Sequence, residues 1–295
     1  MTVGDNMKLD IIEDNNKIII ENLEDFDPKH IFECGQAFRW KREDDGSYTT
    51  IAYKKVINVK KEDNKVIFSN TNRQDFLEIW YDYFDLARDY GNIKESLSID
   101  PILNEATEYG HGIRILNQEP FETIISFIIS ANNQIPRIKR SIELISQYYG
   151  DHIEGDYYAF PRPDQLSKVD MEELKSISRV GFRTERIINT AKIIDNGEIN
   201  LDSIFQVDRN TGKEVLMTLP GVGTKVSDCI LLFAFAKDDA FPVDVWVKRV
   251  MEHFYLKKDT NIKYIGEEGA RLFGKLAGFA QQYLFYYARE EGIGK

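Results

Sequence analysis

A chain of 295 residues, 42% hydrophobic and 29% charged, has room for two or three domains and a sizeable core. Its formal net charge of −11 excludes a protein that grips nucleic acid by bulk positive charge. Two cysteines, Cys34 and Cys229, exclude a disulfide framework, a four-thiolate zinc site and an iron–sulfur cluster. His30, His111, His152 and His253 show no metal-ligand spacing, so no metal and no cofactor are expected.

The N-terminal stretch MTVGDNMKLD lacks the basic and apolar regions of a signal peptide. The longest apolar runs, such as Cys229–Ala236, are too short for a bilayer, and a cytoplasmic protein is expected. Strands are predicted over Lys17–Ile20, Phe38–Lys41, Tyr48–Val59 and Lys65–Ser69, with turns at 44–46 and 63–64. From Asp75 the period changes: Phe76, Ile79, Trp80, Tyr83, Phe84 and Leu86 recur at three- and four-residue steps, as on a helix. Past Gly112 helices are predicted almost throughout, at Phe121–Ala131, Ile138–Tyr149, Met171–Ile177 and Thr184–Ile194, with a loop at 160–163. The pattern Thr211-Gly212-Lys213-Glu214 reads as a capping box opening a helix that ends near Thr218. A turn at Leu219–Gly223 follows, then helices at Thr224–Ala236, Val245–Tyr255 and about Glu267–Glu291. The fold class expected is α+β: an antiparallel β-rich N-terminal domain packed on a mostly α-helical body. Divisions are expected at 1–115, 116–218 and 219–295.

The chemistry concentrates in residues 219–246, LPGVGTKVSDCILLFAFAKDDAFPVDVW. Gly221 and Gly223 allow a tight turn whose amides, with Thr224 and the positive end of the next helix, make a cradle for phosphate. Lys225 stands on the first turn of that helix. A solvated lysine is the ordinary reading of such a position. Cys229 lies one turn along the same face, however, and the apolar run Ile230–Phe235 marks the helix as deeply packed, placing the amine at the lip of a site where it can become a nucleophile. Asp244 suits the N-cap of the helix starting at Val245. A carboxylate so fixed also faces the cleft and stabilises a cationic transition state. Lysine attack beside such a carboxylate is what cleavage of an N-glycosidic bond needs: the sugar becomes oxocarbenium-like at C1′, and an amine there yields a Schiff base. A nucleotide-binding P-loop is excluded, because Gly221-Val222-Gly223-Thr224-Lys225 lacks the spaced first glycine and a Ser or Thr after the lysine.

The hairpin LPGVGTK followed by PVD resembles the helix-hairpin-helix superfamily of DNA glycosylases, in which a lysine at the position of Lys225 marks the bifunctional members. The segments CGQAFRW at 34–40, GIRIL at 112–116, SANNQIPR at 130–137, VGFRTER at 180–186, LPGVGTKVSDC at 219–229, FPVDVW at 241–246 and GFAQQYLF at 278–285 resemble its eukaryotic-type 8-oxoguanine glycosylase branch, in family order over most of the chain. The four-cysteine cluster of the endonuclease III and adenine glycosylase branches is absent. The resemblance implies a TBP-like N-terminal domain on a helix-hairpin-helix body. It implies a monomeric glycosylase and AP lyase acting on double-stranded DNA that contains 8-oxoguanine, the damaged base being everted to reach the enzyme.

By the same resemblance each segment acquires a task. Asn132 fills the vacated space in the duplex, and Phe182 stands where the family has an aromatic wedge. Arg137 and Arg183 read the opposite cytosine. The Gly35 carbonyl accepts from N7–H of oxidised guanine, and normal guanine presents a repelling lone pair instead. Gln281 grips the Watson–Crick edge, and Phe285 and Cys229 sandwich the base. Two positions depart from the family: Trp246 and Ala288 stand where a histidine and an aspartate are usual, so an aromatic surface replaces a polar clamp near the nucleotide's phosphate. Two other readings are open from the residues. One is a monofunctional alkylpurine glycosylase in which Asp244 alone directs water; the other is a non-catalytic helix-hairpin-helix DNA-binding protein.

Overall fold

The computed structural model describes residues 9–293; residues 1–8, part of the N-terminal stretch read above for a leader, lie outside them. Six antiparallel strands form one sheet in the order β1-β2-β6-β5-β4-β3. They are β1 (Ile11–Glu13), β2 (Lys17–Glu21), β3 (Trp40–Arg42), β4 (Tyr48–Ala52), β5 (Lys55–Glu62) and β6 (Lys65–Ser69). The single run expected over Tyr48–Val59 is two strands, joined by a two-residue turn at Tyr53 and Lys54. Both turn residues have positive φ, 50° and 60°, the backbone of a type I′ hairpin. Such a conformation disfavours bulky residues by ~1–3 kcal/mol each, and the ladder from Tyr48↔Val59 to Ala52↔Lys55 offsets it. The third strand begins two residues later than expected, and β1 was not foreseen.

The sheet packs on helix Pro28–Glu33 and on a helical segment at 73–83 that widens into a π-turn over Phe76–Trp80. Phe84 is the hub of this layer, with ring contacts to Phe26, Phe32, Phe68, Trp80 and Tyr83. Each fully buried ring of this kind contributes about 1.5–3 kcal/mol relative to exposure.

A second and larger core fills the helical body. Helices Pro120–Ser130 and Thr224–Ala234 pack together at its centre, which is why residues 123–129 and 226–234 are buried on every face rather than on one stripe. Helices Tyr90–Leu97 and Pro101–Tyr109, from the first half of the chain, join this core beside helix Ala277–Glu291. The two layers are stitched at Arg39, 4% exposed, whose Nε donates to Glu143 at 3.1 Å and whose Nη2 donates to the Tyr158 carbonyl. The capping box expected at Thr211 is not there. Helix Arg209–Met217 starts earlier, and Asp208 is its cap, accepting from the amides of Asn210 and Thr211 at 2.9 and 3.2 Å. The C-terminal helices are Ile262–Phe273 and Ala277–Glu291, the first beginning five residues before the expected start. No helix among the described residues is long and apolar enough to cross a membrane.

Candidate active site

The turn after helix Arg209–Met217 buries Leu219 and Val222 and exposes Gly223 and Thr224. Gly221 has φ +88°, and a Cβ there would lie 2.7 Å from Arg186 Cδ, so conformation and packing both select glycine. Helix Thr224–Ala234 then begins with Gly223 as N-cap and no side chain capping it, which leaves its first amides directed outward.

Lys225 leaves this first turn toward a small pocket of about 70 Å³, lined by Cys34, Gly35, Phe127, Cys229, Asp244, Gln281 and Phe285 among others. The structure thus gathers the predicted catalytic pair and all four predicted base-contacting residues around one cavity. The Lys225 Nζ stands 5.2 Å from the centroid of the Phe127 ring. Burial raises the Cys229 thiol pKa, and the neighbouring Lys225 ammonium pulls it back. Asp244 caps helix Val245–Val250, its Oδ1 accepting from the amides of Trp246 and Val247 at 2.9 and 2.8 Å. Burial raises its carboxyl pKa above the ordinary aspartate value. The Val247 amide and then the Lys225 charge oppose that shift.

Gln281 and Phe285, one turn apart on helix Ala277–Glu291, face the Gly35 loop. The Gln281 amide oxygen is buried with no hydrogen-bond partner among the described residues. A buried acceptor without a partner costs about 1–3 kcal/mol, and this one belongs to a residue that lines the pocket. Gly35 has φ +82°, and a Cβ on it would meet Phe285 Cε1 at 3.0 Å. The carbonyls around it are tied down: Glu33 accepts from Arg289 at 2.6 Å, Cys34 from Gln282 at 2.7 Å and Gln36 from Gln118 at 2.9 Å. Gln36, Gln282 and Arg289 were not singled out from the sequence. The one available signal was the Gln281-Gln282 pair, whose two amides turn out to serve the pocket and the loop separately.

The residues expected to enter the duplex form a second group. Asn132 is exposed in the left-handed region (φ 51°), and Phe182 is 63% exposed. Arg183, in contrast, is buried. Its guanidinium donates to the carbonyls of Ala131, Asn132 and Val180, and it stacks 4.3 Å from the Phe182 ring centroid. Arg137 is exposed on the first turn of helix Ile135–Tyr149 and is not part of that fastening. At the two departures from the family pattern, Trp246 is half-buried beneath the Arg249 guanidinium, 4.9 Å from its ring centroid, and Ala288 is fully buried.

Comparison with known proteins places this geometry. Residues 18–124 match the 8-oxoguanine DNA glycosylase N-terminal domain, and residues 125–273 match the HhH-GPD superfamily of base excision DNA repair proteins. A probable N-glycosylase/DNA lyase of Methanothermobacter thermautotrophicus is 34% identical over 232 residues, 71% of this chain and 74% of the relative. The N-glycosylase/DNA lyase OGG1 of Arabidopsis thaliana is 29% identical over 280 residues, 86% of this chain and 75% of the plant protein. The Clostridium acetobutylicum 8-oxoguanine glycosylase/lyase, solved with double-stranded DNA containing cytosine opposite 8-oxoG, is 46% identical with a TM-score of 0.94, covering 97% of this chain and 100% of that one. A 3-methyladenine DNA glycosylase of Archaeoglobus fulgidus, at 18% identity and TM-score 0.72, shares the fold. The chain belongs to the 8-oxoguanine DNA glycosylases of the HhH-GPD superfamily.

Proposed function

We infer that this protein is a bifunctional DNA repair enzyme that excises 8-oxoguanine from duplex DNA and then nicks the strand as an AP lyase. The observation that carries the reading is the pocket itself. It holds an amine, a helix-capped carboxylate and an unpartnered amide acceptor within one cavity walled by Phe285, Cys229 and the Gly35 loop. In the proposed course, Lys225 attacks C1′ of the everted nucleotide while Asp244 stabilises the positive charge on the sugar. The base departs, and the resulting Schiff base undergoes β-elimination, breaking the strand 3′ to the site. Gln281 takes the Watson–Crick edge, and the Gly35 carbonyl tests for the N7 proton. The Gly221–Thr224 turn, exposed at Gly223 and Thr224, holds phosphate. A monofunctional mechanism gives the Lys225 amine no task in the pocket, and a purely binding module gives none to Gln281. Action as a monomer and a cytoplasmic location are part of the same proposal.

The test is cleavage of labelled duplexes carrying 8-oxoguanine opposite each of the four bases. Preference for cytosine is expected, and equal rates for all four would remove the opposite-base reading. We propose that the two arginines act differently there. Arg137→Ala is expected to relax the preference for cytosine by about 1–3 kcal/mol, the worth of a good base contact. Arg183→Ala, which strips the carbonyls of Ala131 and Asn132 of their donor, is expected to slow cleavage opposite every base.

Gly35→Ala addresses lesion detection. The positive φ and the 3.0 Å approach to Phe285 are expected to lower stability by about 1–2 kcal/mol. They also shift the carbonyl, so the ratio of kcat/KM for 8-oxoguanine over guanine is expected to fall at least about tenfold, roughly one hydrogen bond. An unchanged ratio would remove Gly35 from lesion detection.

A further inference from the structure

A second cluster of chemically able side chains lies behind the Gly35 loop, outside the pocket. Helix Pro28–Glu33, which runs directly into Cys34 and Gly35, carries His30 and is capped by Asp27. Oδ1 of Asp27 accepts from the Lys29 amide at 2.8 Å, leaving the other carboxylate oxygen for a further partner. His111 and Gly112 follow helix Pro101–Tyr109 and are held against this cap from both sides. The Asp27 amide donates to the Gly112 carbonyl at 3.0 Å, and the Gly112 amide donates to His30 Nδ1 at 3.2 Å. A Cβ at position 112 would lie 2.3 Å from Asp27 Cβ, so glycine is what permits the approach.

The rings of His30 and His111 meet edge to face at 4.7 Å, and one donor atom from each of Asp27, His30 and His111 lies within 4.8 Å of the others. Two imidazoles and one carboxylate match the donor set of zinc-class ions, and they supply too few oxygens for calcium or magnesium. Donors around a tetrahedral ion sit roughly 3.3 Å apart, so the cluster has to contract, and the exposed His111 side chain is free of core packing that would resist this. His30 also packs 5.5 Å from the Tyr286 ring on the helix that carries Gln281 and Phe285.

We propose that Asp27, His30 and His111 bind one divalent transition-metal ion of the zinc class, clipping the helix before the Gly35 loop to the turn at 111–112. The ion takes a lone pair on His30, and coordination through Nδ1 replaces the long hydrogen bond from the Gly112 amide. The site is separate from the glycosylase pocket, and its existence does not depend on the reaction assigned there.

The experiment is titration of tag-free, chelator-treated protein with Zn²⁺ by calorimetry and with Co²⁺ by visible absorption. One saturable ion per chain is expected, with a rise in melting temperature on Zn²⁺ addition and a shift of the Gly112 amide resonance. His111→Ala removes an exposed ligand, and Asp27→Asn keeps the helix cap while removing the carboxylate. Each is expected to weaken binding at least about tenfold. Both variants should retain the wild-type far-ultraviolet circular dichroism. Absence of saturable binding to the wild type, or unchanged affinity in both folded variants, overturns the proposal.

Discussion

Replacing Lys225 with glutamine is expected to abolish base release and strand nicking together, by at least about a thousandfold, the scale of losing a covalent nucleophile. Borohydride reduction is expected to trap the Schiff base of the wild type as a stable protein–DNA adduct and to give none with the variant. The change is structurally mild. Lys225 sits on the first turn of a helix whose packing is made by Val226 and by the buried run from Ser227 to Ala234, so folding should survive. A glutamine also keeps a polar tip near Cys229 and Phe127, the groups that the lysine now faces. A variant that binds lesion DNA with wild-type affinity yet forms no adduct would locate the loss in chemistry. An adduct that persisted would transfer the role to another amine and end this assignment.

The second large effect is expected at Asp244, whose carboxylate caps a helix and, in the proposed course, also stabilises the charged sugar. As N-cap it accepts two amide hydrogen bonds. Asparagine caps a helix about as well as aspartate, so Asp244→Asn should leave the melting temperature close to that of the wild type. It removes the negative charge, and base release is expected to fall roughly 10²–10³-fold, the scale of losing one preorganised electrostatic group. Asp244→Ala loses the cap as well and should cost about 1 kcal/mol more in stability. The pH dependence has a defined sign. Burial raises the carboxyl pKa, and only the ionised form stabilises a cationic sugar, so wild-type activity should decline with acidification at a pH above the ordinary aspartate value of about 3.9. An acid limb at or below that value, or one retained in Asp244→Asn, would show that another group sets it.

The sequence is most legible where the candidate site lies in one contiguous stretch. The hairpin, Lys225 and Asp244 lie within 219–246, and their local geometry follows from glycine, helix capping and an apolar run. It was least legible where distant segments meet. Gln282 reaches Cys34, and Arg289 reaches Glu33, across nearly the whole chain, and no local pattern announces either contact. His30 and His111 likewise show no ligand spacing along the chain and become neighbours only when Gly112 closes on Asp27. No local signal marks the Tyr53-Lys54 turn, because neither residue favours positive φ; its conformation is imposed by the ladder on both sides. The cap of helix Arg209–Met217 was misplaced for a subtler reason. Asp208 and Thr211 both suit an N-cap, and the structure uses the first to hold the second, through a 2.7 Å bond from the Thr211 hydroxyl.

Arg183 clamps the carbonyls of Ala131 and Asn132, and Asn132 holds a left-handed backbone. In the proposed function Asn132 enters the duplex, and a residue whose backbone is so fastened does not adapt to what it meets, so the DNA helix has to yield. Encounters along a chromosome would then be graded by the local softness of the DNA, with weakly stacked steps giving way first and stiff tracts passed over.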